Sequence, residues 1–136
     1  MSEKIVVQPL DDLMATLDIP RVDFMKLDVE GFEQSVITGA TRTISQFKPV
    51  VMLELNHWCL NALQRTSVPD FLDFLRAIFP VLVAVEGDRY ADLHNNDESY
   101  MVMLSPYRPL RVHRNRRQFQ PGSSRNFLQE LSARAV

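Results

Sequence analysis

Glycine, cysteine and long apolar runs are what this sequence is short of. Its four glycines, at positions 31, 39, 87 and 122, include no two close together, so the chain has no glycine-rich loop of the kind that brings backbone amides against a nucleotide. Cys59 is its single cysteine. That excludes an internal disulfide and a zinc site built on cysteines. No apolar stretch reaches the roughly 18 residues of a membrane span, and Met1-Ser2-Glu3-Lys4-Ile5 lacks the charged-then-apolar build of a signal peptide. The expectation is a soluble, cytoplasmic protein without membrane association. With 136 residues, 46% of them hydrophobic, the chain can bury one core.

A net charge of −2 conceals an uneven distribution. Residues 1–107 carry 8 basic and 16 acidic side chains, whereas residues 108–136 carry seven arginines and one acid, Glu130. The division predicts an acidic body over 1–107 and a basic, flexible tail over 108–136 that includes a Pro-Gly-Ser-Ser break. Such a tail can meet nucleic acid or an anionic membrane surface, neutralise its own acidic body, or have no partner. Contact with the body or with solvent is the expectation, and nucleic acid is not the expected partner.

The body alternates strands and helices. Runs 22–29, 49–55 and 81–86 are short and nearly all apolar, as expected of strands covered on both faces. Between the first two, Phe32, Val36, Ile37, Ala40, Ile44 and Phe47 recur at helical spacing, with Glu33 in the first turn beside the positive end of the helix dipole. Between the second and third, Ser67 with Pro69 just inside marks a helix start, and Phe71, Phe74, Leu75 and Ile78 form its buried face. Both connections are long enough for a crossover helix, so these strands should run parallel. From Glu86 to Tyr100 only turn formers intervene, which predicts an antiparallel final strand over 100–104. Upstream, Ile5-Val6-Val7 reads as a short strand and 11–17 as an amphipathic helix.

Ligands of open α/β sheets bind beyond the carboxyl ends of the strands. At the first such end, Lys26, Asp28 and Glu30 share one face of an otherwise apolar strand, and Gly31 permits a tight turn into the next helix. A Lys26–Asp28 ion pair with a solvated Glu30 would account for the same residues. At the second end, Glu54 can hold a hydroxyl or an amine, and His57 is the general-base candidate, against a plain capping or surface role. Asp28, Glu30 and Glu54 together are also a set that Mg²⁺ could use, although acidic residues at strand ends are common without any metal. His94 sits in an Asn- and Asp-rich turn and reads as solvated.

In order and spacing, Leu10-Asp-Asp-Leu13, Val22 to Glu33 with its Lys-x-Asp-x-Glu-Gly-x-Glu core, Val36-Ile-Thr-Gly-Ala40 and Lys48 to Glu54 resemble the second half of the FkbM family of S-adenosylmethionine-dependent methyltransferases. The resemblance spans roughly residues 5–104. It implies an α/β fold, a partial Rossmann-like methyltransferase sheet comprising strands four to seven in the spatial order four, five, seven, six, with the last strand antiparallel and the first three absent from this chain. It also implies S-adenosylmethionine as cofactor, with Asp28, Glu30 and Gly31 on its cleft and Glu54, His57 and Lys26 as catalytic candidates, and a small metabolite or sugar hydroxyl as methyl acceptor. Without a glycine loop, binding of the cofactor by this chain alone is expected to be weak. The chain then reads as a truncated or split half, inactive by itself, whose partner is a separately encoded N-terminal half or a second copy. The competing expectation is a non-enzymatic remnant or interaction module acting through its open sheet edge.

Overall fold

The computed structural model describes residues 4–86, 89–96, 99 and 107–113, with the backbone alone at 86, 89, 90 and 107–113. In chain order the elements are α1 (Leu10–Leu17), β1 (Phe24–Leu27), α2 (Glu33–Thr38), α3 (Thr41–Phe47), β2 (Val50–Asn56), α4 (His57–Gln64), α5 (Val68–Ile78), β3 (Val81–Glu86), β4 (Arg89–Asp92) and β5 (Tyr107–His113). The five strands form one sheet in the order β1-β2-β5-β3-β4. β1 pairs parallel with β2, and β5 runs antiparallel to both β2 and β3.

The parallel crossover from β1 to β2 follows the sequence reading. β2 and β3 also share a direction, but β5 lies between them. The expected strand over 100–104 lies outside the described residues, and the reversed strand that enters the sheet between β2 and β3 is Tyr107–His113. A tail beginning at 108 is therefore corrected for 108–113, which belong to the sheet; residues 114–136 lie outside the described ones. Register explains the placement. Leu110 stands opposite Leu53 and Ala84, and Val112 opposite Val51 and Leu82, so the backbone of β5 pairs with β2 on one side and β3 on the other.

Burial differs along the sheet. Val81, Leu82, Val83 and Ala84 of β3 are all buried, as expected of a strand covered on both faces. β1 and β2 instead alternate: Met25, Leu27, Val51, Leu53 and Leu55 are buried, while Phe24, Lys26 and Glu54 on the other face are exposed. The expectation of two covered faces is corrected for these two strands. The buried rows join Ile37 of α2, Ala40 between the two helices, Ile44 of α3, and Phe71, Leu72 and Leu75 of α5 in one core.

The helical stripe over 32–47 is two helices, broken at Gly39-Ala40. The Gly39 carbonyl accepts the Asp11 amide (3.0 Å), and the Asp11 carboxylate accepts from the amides of Arg42 and Thr43 (both 2.8 Å) and the Thr43 hydroxyl (2.7 Å). A side chain on α1 thus caps α3 from 31 residues away. α5 starts as expected, with Ser67 Oγ accepting the Asp70 amide. Ile5, Val6 and Val7 form no strand; they are among the most exposed hydrophobic residues described. β4 was hidden in the stretch read as turns, and His94, though exposed, bonds the Phe79 carbonyl through Nε2 (2.9 Å). Among the described residues no helix is long and apolar enough to cross a membrane.

Candidate functional site

The carboxyl ends of β1 and β2 meet because a turn locks onto a helix start. Phe32 N–H donates to the Val29 carbonyl (3.2 Å), closing a four-residue turn. Glu30 (φ 50°) and Gly31 (φ 95°) at its centre both lie in the left-handed region, the combination of a type I′ turn. Glycine is required at the second position for a second reason. A Cβ on Gly31 would sit 2.8 Å from the backbone carbon and oxygen of Cys59, so the turn packs directly on the first turn of α4.

Side chains secure the same contact. Asn56 caps α4, its Oδ1 accepting the Cys59 amide (3.1 Å), while its Nδ2 donates to Glu30 Oε2 (3.1 Å). The Cys59 thiol donates to the same oxygen (3.2 Å). Gly31 N–H donates to Oε1 of Glu33 (3.3 Å), a residue only 1% exposed, whose Oε2 is buried without a partner. Burial pushes the Cys59 thiol up, and the Glu30 and Glu33 carboxylates push it further, so Cys59 is a protonated donor and a poor nucleophile.

The other sequence candidates lie around this contact. Lys26 Nζ pairs with Asp28 Oδ2 at 3.4 Å on the exposed face, the ion pair that spacing alone allowed. Glu54 is exposed on β2, and among the described residues no hydrogen bond joins it to His57, the first residue of α4. Burial lowers the His57 imidazole below its ordinary value, favouring the neutral, proton-accepting form. Its Nε2 is buried and unpartnered, so a proton would reach it only after the ring turns outward, or would arrive at Nδ1. Among the described residues no three His, Cys, Asp or Glu are grouped to hold a metal ion, which removes the Asp28, Glu30 and Glu54 set as a Mg²⁺ site.

Asn56, Cys59 and Glu33 were missed as members of the site. Asn directly before a helical stretch is a readable cap signal, but nothing in the sequence tells that the cap also reaches a carboxylate 26 residues upstream. Phe32 and Trp58, both substantially exposed, flank the contact in sequence.

A sheet whose parallel strands carry carboxylates and a helix start to one rim defines an α/β domain. The chain matches the family model of the methyltransferase FkbM domain over residues 2–90, and it belongs to that family. Its family is one of S-adenosylmethionine-dependent methyl transfer. Comparison with curated proteins gave no match, and comparison with solved structures gave none. The matched span holds the whole rim, whereas β5 lies beyond it.

The residues of this chain fit that cofactor in part. The acidic rim suits its hydroxyl and ammonium donors. A glycine turn that would present backbone amides to its carboxylate is not formed by the four scattered glycines.

Proposed function

We propose that this chain carries the acceptor-side half of a methyl-transfer site directed at the hydroxyl of a small metabolite or sugar. The observation that carries the reading is the junction of the β1 and β2 tips, where the Glu30-Gly31 turn rests on α4. The sheet order β1-β2-β5-β3 supports taking these strands as four, five, seven and six of the parent sheet. In this reading Asp28, Glu30 and Gly31 line the cofactor cleft. Glu54 orients the acceptor hydroxyl, neutral His57 takes its proton, and Lys26 offsets the charge of Asp28. The free thiol of Cys59 suits a cytoplasmic setting.

Calorimetric titration of the chain with S-adenosylmethionine tests this. Binding weaker than about 10 μM is expected, because the ribose and amino-acid groups lose hydrogen bonds worth about 0.5–1.5 kcal/mol each. The substitution Glu30→Gln should weaken it further. Tighter binding would overturn the half-site reading, and identical affinity in Glu30→Gln would remove the rim from it.

A second reading is favoured by β1. Among the described residues it is an edge strand of the sheet, with Phe24 exposed, and so offers backbone groups to a second copy or to a separately encoded half. Sedimentation decides this one: a monomer at micromolar concentration would exclude pairing between copies.

A further inference from the structure

We infer that Asn56 and Cys59 are positioning residues that hold the Glu30 carboxylate with one oxygen engaged and the other free to accept a hydrogen bond from a bound ligand. This deepens the proposed function and rests on it for the identity of the ligand. Two donors from α4 and its cap, Asn56 Nδ2 and Cys59 Sγ, converge on Oε2, and among the described residues Oε1 has no partner. A merely solvated glutamate would have no need of this arrangement. Glu33 points the same way. Its side chain is buried, one oxygen holds the Gly31 amide of the same turn, and the other has no partner, leaving an acceptor that a ligand's donor group would satisfy.

Cys59 also reports on the network. As the single cysteine of the chain, its ionisation can be followed by ultraviolet absorbance without interference from another thiol. The charged groups acting on it are Glu30 from the turn and Glu33 from α2, and His57 stands two residues before it on α4. Replacing Glu30 by Gln removes a nearby negative charge and leaves only a neutral amide oxygen, a weaker acceptor, for the S–H. The thiolate fraction at about pH 8 should then rise by about three- to tenfold. Asp28→Asn, which alters the carboxylate paired with Lys26, should leave it unchanged.

The test is thiol titration of the full chain as wild type, Glu30→Gln and Asp28→Asn, with circular dichroism confirming the fold of each. A second set reads the side-chain carboxyl ¹³C resonance of Glu30: Cys59→Ala should displace it and Cys59→Ser, which restores a donor, should return it toward the wild-type position. An unchanged thiol midpoint in Glu30→Gln, or Cys59→Ser behaving as Cys59→Ala, overturns the assignment. Titration of the wild type with S-adenosylhomocysteine stands apart from these: no binding there would count against the proposed function while the thiol and carboxyl readouts still decide the positioning.

Discussion

β3 and the β1–β2 pair are built from similarly apolar segments and end up in opposite situations. β3 is buried at Val81, Leu82, Val83 and Ala84, and α5 packs against it with Phe71, Leu72 and Leu75 fully buried. β1 and β2 bury alternate residues and leave Lys26 and Glu54 exposed on the other face. Cohesion therefore concentrates at the β3 end of the sheet. Ionisable chemistry gathers at the tips of the parallel pair, where a charged side chain can reach solvent or a ligand without being desolvated.

The sharpest way to break this contrast is to cut into each region and compare the costs. Phe71→Ala, on the β3 side, should lower unfolding free energy by about 3–5 kcal/mol, read from urea midpoints. Gly31→Ala should come next at about 2 kcal/mol, because the alanine must adopt a positive φ and its Cβ meets the Cys59 backbone. The two should also differ in kind: Gly31→Ala should expose the Cys59 thiol to alkylation under native conditions, whereas at Phe71→Ala exposure should follow global unfolding.

Smaller effects sharpen the picture. Asp11→Ala should cost about 1 kcal/mol as the loss of a helix cap. Burial raises the Asp11 carboxyl, but hydrogen bonds from Arg42 and Thr43 and the Arg42 charge pull it below its ordinary 3.8. Its folded value is depressed, so its contribution is fully present above about 3.8 and is lost as pH falls through the lower folded value. Acid titration of stability should therefore be shallower in Asp11→Ala than in wild type. Lys26→Ala should change stability by no more than about 0.5 kcal/mol, since its pair with Asp28 is solvent-exposed.

Legibility in the sequence followed the range of the forces involved. The helix start at Ser67 and the parallel β1–β2 crossover were readable because capping and connection length are local. The break at Gly39-Ala40 was not, since the group that caps α3 there comes from Asp11 on another helix. β5 was hidden by its own composition. Arg108, Pro109, Arg111 and His113 mask a strand whose place is set by pairing with Leu53 and Leu82, and Pro109 lacks an amide that a central strand would normally donate. At the rim, Lys26, Asp28, Glu30, Gly31, Glu54 and His57 were all visible as ionisable or turn residues at strand ends. Which of them touch was not. Glu30 meets Cys59 and Asn56 through a fold-level junction, while Glu54 and His57, three positions apart, share no hydrogen bond.

The location of β5 bears on how the chain is made. A ribosome delivers β1, β2, β3 and β4 first, and until residues 107–113 emerge, β2 and β3 each lack the neighbour that joins them. The nascent sheet is thus two separate pieces waiting for a wedge. Assembly is postponed to the arrival of a strand about 50 residues downstream of its β2 partner, and long-range closure of this kind slows folding. Any interruption of synthesis before Tyr107 would release a product with two unpaired edges in what should be the middle of the sheet.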